Sequence, residues 1–208
     1  MVKVGLTGNF GSGHNLVAQK FEERKIPYFD ADLIFKFLIN YDESGIKKCK
    51  SKFGKEIYKF GLIDLKPFST NQKFEELYEL ILPELLKSWN NWMVINSDRP
   101  YTIFLSSTLF ETKMNLKMDF NINVFKSKET RRLAMEKSTL MPLSVIDDIL
   151  DNELNERYKS AKSDFVIYPE NRNLEEQITT IHKQILGKET GIYSSTLEYS
   201  QMCKNVFI

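Results

Sequence analysis

Two hydrophobic periods alternate along this chain. Val2 to Leu6 is a short apolar run, and Leu16 to Phe21 carries apolar residues at helical spacing directly after a glycine-rich turn. Ile26-Pro27-Tyr28-Phe29 predicts a second short strand running into Asp30-Ala31-Asp32, and Leu33 to Leu38 continues as a helix. From Gly45 to Trp92 the pattern is helical, with turn signals near Gly61 and Pro67 and no strand period. Tyr101 to Leu105 and Phe120 to Phe125 predict strands. A helix over Arg131 to Lys137 is broken at Ser138 to Pro142, and a helical pattern resumes from Leu143 to Ala161. Asp164 to Tyr168 predicts the last strand and Leu174 to Leu186 the last helix. This alternation predicts an α/β fold whose parallel sheet is covered by helices on both faces, with a helical insert over about 45–92.

The composition narrows the picture without changing it. A chain of 208 residues, 42% hydrophobic and 27% charged, can bury a core and fits one domain with a smaller insert. Its 29 basic and 28 acidic residues nearly cancel, which removes the bulk electrostatic drive of a general nucleic-acid or anionic-membrane binder. With no signal-like start and no apolar stretch near the roughly 20 residues that cross a bilayer, a soluble, intracellular, cytoplasmic protein is expected. Cys49 and Cys203 lack ligand spacing, so neither a disulfide framework nor a zinc site is expected. His182 reads as a surface side chain, and Trp89 and Trp92 read as packing residues on a helix.

The candidate chemistry lies in Val4-Gly5-Leu6-Thr7-Gly8-Asn9-Phe10-Gly11-Ser12-Gly13-His14-Asn15. In G-x-x-x-x-G-K-[ST] the glycines let backbone N–H groups curl around phosphates, the Lys reaches the β/γ oxygens and the hydroxyl ligates Mg²⁺. Strand, turn and helix N-terminus follow in the right order to aim N–H groups at an anion. The Lys slot holds His14, however, and the hydroxyl slot holds Asn15. A glycine-rich turn that binds nothing is the alternative. Asp30 and Asp32 lie at a strand's C-terminal end, where open α/β sheets bind ligands, although Asp30 equally suits a helix cap. Glu111, in Leu109-Phe110-Glu111, sits just beyond another strand end.

Taken together, Gly5-Leu6-Thr7-Gly8 with Gly11-Ser12-Gly13, Asp30-Ala31-Asp32, Phe53-Gly54, Leu109-Phe110-Glu111 and Ser163-Asp164-Phe165-Val166-Ile167 resemble the dephospho-CoA kinase family over nearly all of the chain to Gly187. The resemblance implies a three-layer P-loop kinase fold over residues 1–187, a helical substrate domain within it, and a lid at about 137–143. It implies ATP with Mg²⁺, and transfer of phosphate to the ribose 3′-hydroxyl of dephospho-CoA. Gly8, Asn9, Phe10, Gly11, Ser12, Gly13, His14 and Asn15 would cradle the nucleotide. Asp30, Asp32 and Glu111 would face the acceptor, with Asp32 as the catalytic acid–base candidate and Asn15 as a weak Mg²⁺ ligand.

Departures from the family pattern remove phosphate-handling groups: His14 for Lys, Asn15 for Ser or Thr, and Ser138 for a lid Arg. Others are Leu82-Pro83 for His-Pro, Ser107 for a proline and Glu153 for a glutamine. Arg131 and Arg132, with Lys126, Lys128 and Lys137, read as a solvated helix face. Three functions remain open. The chain is a dephospho-CoA kinase with impaired or lost catalysis, a non-catalytic homologue binding nucleotide or CoA or serving as a subunit of a larger assembly, or a divergent nucleoside or nucleotide kinase. Where no activity survives, no cofactor is required. The apolar residues of the tail, 188–208, suit docking on a protein partner.

Overall fold

A computed structural model describes residues 1–68, 70–139, 141–170 and 173–189. Five strands form one sheet: β1 (Val2–Thr7), β2 (Tyr28–Asp30), β5 (Tyr101–Leu105), β6 (Phe120–Val124) and β7 (Phe165–Ile167). They lie in the order β2-β5-β1-β6-β7, and each neighbouring pair is parallel. The sheet is buried on both faces, which explains why all five residues of β5 are buried and why its pattern does not alternate. Tyr101, Ile103 and Leu105 pack with α1 (His14–Glu22) and α8 (Leu174–Glu189) on one face. Phe104 packs on the other, against Trp89 at a centroid distance of 4.9 Å and Phe29 at 5.8 Å.

That second face carries α2 (Ala31–Asn40), α3 (Glu43–Phe53) and α4 (Asn71–Ile95), so the helical insert has its core in common with the sheet. Between α3 and α4 lies a small antiparallel hairpin, β3 (Tyr58–Lys59) and β4 (Leu62–Ile63), where no strand was predicted. Its turn is Phe60-Gly61, both at positive φ, and strands of two residues are too short to express a period. Two further helices, α5 (Lys128–Ser138) and α6 (Leu143–Asn152), pack through Met135, Ile146 and Leu150.

The helix predicted over 143–161 is two helices. A short α7 (Glu156–Lys162) follows α6 after a break at Glu153-Leu154-Asn155. Asn155 Oδ1 accepts from the N–H groups of Arg157 and Tyr158 and so starts α7 afresh. Glu153 and Leu154 are thereby released to bond elsewhere, and both reach the turn after β1. His182 is corrected as well: it is half-buried in α8, with Nδ1 2.7 Å from the Tyr101 hydroxyl, and burial pushes its pKa down. Its exposed-helix pattern in the sequence does not reveal that β5 begins with a tyrosine beneath it. No described helix is long and apolar enough to cross a membrane.

Because β1 lies between β5 and β6, the chain leaves it to build β2 and β5 on one side. Later it returns to add β6 and β7 on the other. The crevice beyond the C-terminal end of β1 is therefore the point where the topology reverses, the usual ligand position in such sheets.

Candidate functional site

The turn Gly8–Gly13 occupies that crevice. Gly11 and Gly13 have φ of +80° and +91°, a region that L side chains rarely enter, and Gly13 leads directly into α1. Most helices of known cap here begin under a side chain: Asp30 over α2, Asp42 over α3, Ser127 over α5 and Asn155 over α7. The start of α1 has none. Ser12 N–H turns back to the Asn9 carbonyl at 2.9 Å. Among the described residues, no hydrogen bond engages the N–H groups of Gly11, Gly13, His14, Asn15 and Leu16. Five free donors at a helix N-terminus are the groups that an anion cradle needs. A side chain at Gly8 would run into Ser12 Oγ and lie 2.9 Å from the Val124 carbonyl, so this glycine is required by packing beneath the cradle.

The cradle opens on a cavity of about 600 Å³ lined by Phe10, Gly11, Gly13, His14 and Asn15 together with Asp30, Asp32 and Ser107. Gly8, Asn9 and Ser12 lie buried underneath it. Asn9 Nδ2 donates to the Leu154 carbonyl at 2.8 Å, tying the turn to the α6–α7 break. Asp30 Oδ1 accepts from Leu33 N–H at 2.9 Å, the helix cap that the sequence also allowed. Asp32 is held differently. Its Oδ1 accepts from Ser106 Oγ at 3.0 Å and its Oδ2 from Ser107 N–H at 2.8 Å, which fixes the carboxylate at the cavity wall. A proline at 107, as the family pattern expects, has no N–H to offer.

His14 supplies no permanent charge. Burial of the half-buried ring pushes its pKa below the ordinary histidine value, opposed by the Asp32 charge, reinforced by Lys159 and opposed again by Asp30. Its Nδ1 lies 3.1 Å from Ser12 Oγ. Neutral at pH 7, it fills the lysine slot without the cation.

Two cations near the cradle are buried, contrary to the solvated face expected of one of them. Arg131 is 1% exposed. Its guanidinium donates to Glu153 Oε2 at 2.6 Å, to the Phe10 carbonyl at 2.8 Å and to the Lys126 carbonyl at 3.2 Å. Glu153 Oε1 in turn accepts from Phe10 N–H, so the ion pair clamps both backbone groups of Phe10. The carboxylate at 153 is thus matched by a buried arginine. Arg132, its neighbour, meets the expectation: it lies on the outer face of α5, partly exposed, and pairs with Asp147.

Lys159, absent from the sequence-based candidates, is also 1% exposed. Its Nζ donates to the Ser107 carbonyl at 2.7 Å and to Glu111 Oε1 at 2.8 Å. Glu111 therefore belongs to an adjoining cavity of about 500 Å³, which shares Phe10, Phe74, Ser107 and Thr108 with the first. Nothing in the spacing of α7 distinguishes Lys159 from the nearby Lys162. Only the fold, which slides α7 under the loop after β5, makes it a buried cation.

A model of dephospho-CoA kinase matches residues 2–176. The chain belongs to the dephospho-CoA kinase family. It is 23% identical over 195 residues to dephospho-CoA kinase of Acinetobacter baylyi, covering 90% of this chain and all of that one. It is 26% identical over 192 residues to that of Gamma-proteobacterium EBAC31A08, covering 88% and 96%. Among solved structures, TT1252 from Thermus thermophilus superposes with a TM-score of 0.72 at 18% identity, over 90% of this chain and 97% of that one. Dephospho-CoA kinase from Campylobacter jejuni gives 0.50 at 17%, over 88% and 96%. These likenesses establish the P-loop kinase fold, and the family is one of ATP-dependent kinases acting on dephospho-CoA.

Proposed function

We propose that this chain is a dephospho-CoA kinase homologue that keeps the acceptor half of the site and has lost most of its phosphoryl-transfer rate. The observation that carries the reading is the pairing of an intact cradle of free N–H groups with a neutral His14 in the lysine slot. Phosphoryl transfer depends on positioning and on stabilising charge spread over the transferred group. Gly11, Gly13, His14, Asn15 and Leu16 N–H groups still orient a polyphosphate. Asp32 orients the 3′-hydroxyl and accepts its proton, a role supported by the way Ser106 and Ser107 fix its carboxylate at the cavity wall. The segment 137–143, which runs from the end of α5 to the start of α6 and of which 140 lies outside the described residues, acts as the lid, and residues 1–187 act as one kinase-like domain.

Mg²⁺ arriving with ATP fits only loosely. Asn15 Oδ1 would be the neutral ligand in the hydroxyl slot, and among the described residues no cluster of three metal-binding side chains stands ready. When bound, the ion neutralises charge on the β- and γ-phosphates. Each missing preorganised donor costs on the order of 10²–10³ in rate. The second reading, a non-catalytic homologue that binds nucleotide or CoA, is favoured by the spent cations: Arg131 and Lys159 are both committed to protein partners.

The test is ATP-dependent phosphorylation of dephospho-CoA at high protein concentration, comparing wild type with His14→Lys/Asn15→Ser. Slow wild-type turnover raised at least about a hundredfold in the double variant supports the kinase reading. No turnover in either transfers support to the non-catalytic reading.

A further inference from the structure

The cavity beside the N–H cradle has two unlike ends. One is the N–H cradle with its neutral histidine. The other is formed by α2 and the insert, where Phe35, Ile39, Leu65, Phe74 and Tyr78 make an apolar wall. Lys36 projects from α2 between them, four residues after Asp32 and so on the same helical face. Among the described residues lining this cavity, Lys36 is the one lysine or arginine. Arg131 is sealed beneath Phe10, and Lys159 is consumed by Ser107 and Glu111.

No hydrogen bond or ion pair engages Lys36 Nζ among the described residues, whereas the buried Lys159 beside the loop after β5 is fully committed. An exposed, uncommitted ammonium beside Asp30 and Asp32 also offsets what these carboxylates would otherwise do to an anion entering the cavity. Two acidic groups on the wall repel phosphate at this range, and one cation on the same face cancels part of that repulsion and gives an entering anion a local partner.

We propose that Lys36 reads the phosphate groups of the acceptor, so that recognition of charge in this site has moved from the nucleotide-cradle end to the acceptor end. The class of ligand is a phosphate ester or diphosphate carrying an apolar or aromatic body, bound without need of a metal ion. This rests on the reading of the cavity as the family's acceptor site and adds to it the residue that selects a phosphorylated acceptor. The lysine stem lies along the apolar wall while the ammonium reaches the phosphate.

The experiment is calorimetric titration in metal-free buffer with dephospho-CoA and, separately, with adenosine, which has the ring and ribose but no phosphate. Wild type, Lys36→Met and Lys36→Arg are compared. Lys36 is exposed, so neither substitution threatens folding. Dephospho-CoA affinity is expected to fall about threefold to tenfold in Lys36→Met, to stay within about twofold in Lys36→Arg, and adenosine affinity to stay unchanged in both. Equal dephospho-CoA affinity in Lys36→Met and wild type overturns the role of Lys36 and leaves the acceptor site standing. Failure of wild type to bind dephospho-CoA at all overturns both.

Discussion

Arg131 and Arg132 are adjacent on α5, chemically identical and opposite in environment, which makes them a sharp test of the clamp on the nucleotide turn. Replacing Arg131 by Met removes three hydrogen bonds and leaves the Glu153 carboxylate, whose side chain is 17% exposed, without its cation. Glu156 gains nothing, since its carboxylate lies 3.9 Å from the same guanidinium and is left unpaired too. Breaking a buried pair from one side costs about 3–5 kcal/mol, because the remaining charge stays desolvated. For a chain of this size that corresponds to a fall in Tm of roughly 6–20 °C. Arg132→Met breaks a pair with Asp147 that water already screens, and its Tm is expected to stay close to wild type. Thermal unfolding followed by circular dichroism reads both. A double variant, Arg131→Met/Glu153→Leu, should recover part of the loss, because it removes both buried charges. Equal effects of Arg131→Met and Arg132→Met, or a double variant that simply adds the single losses, would refute the clamp.

Three further outcomes follow from the same geometry. Asp32→Asn should lower any dephospho-CoA turnover by about a hundredfold or more with ATP affinity preserved, as measured by single-turnover kinetics and titration; an unchanged rate removes Asp32 from the chemistry. The folded chain holds His14 below the ordinary value near 6.5, so the unfolded state binds more protons just beneath that pH and stability falls as pH drops through it. His14→Gln should flatten this part of the pH–stability curve, measured by urea unfolding between pH 5 and 7.5, and an unaltered slope shows that His14 does not contribute. Gly8→Ala should destabilise by roughly 1–3 kcal/mol through the clash with Ser12 Oγ and the Val124 carbonyl, with a neutral effect in urea unfolding counting against the packed turn.

The parallel sheet was legible because buried strands are apolar runs and each is bounded by a turn signal, as in Tyr101 to Leu105, whose predicted and observed bounds coincide. That Asp32 lines the cavity was legible for the same reason: it lies in the first turn of the helix that follows the end of β2. The hairpin at Tyr58–Ile63 was not, since two-residue strands carry no period. Arg131 and Lys159 were hidden for a deeper reason. A charged residue on a short helix looks the same in sequence whether its partner is water or a buried carboxylate, and the partners here lie 22 and 48 positions away. The break at Glu153, which lets that carboxylate meet Arg131 and Phe10, interrupts a pattern that is helical on both sides. Of the tail 188–208 expected to dock on a partner, 188 and 189 end α8 and the rest, 190–208 with Cys203, lies outside the described residues.

The central claim is that the turn after β1 still presents a phosphate cradle from which the charge has been removed. Calorimetric titration of wild type and His14→Lys/Asn15→Ser with Mg·ATP tests it directly. The account predicts weak binding by wild type, strengthened at least about tenfold in the double variant, because a charge-assisted contact is worth roughly 1.5–3 kcal/mol. Tight wild-type binding that the double variant leaves unchanged would contradict it.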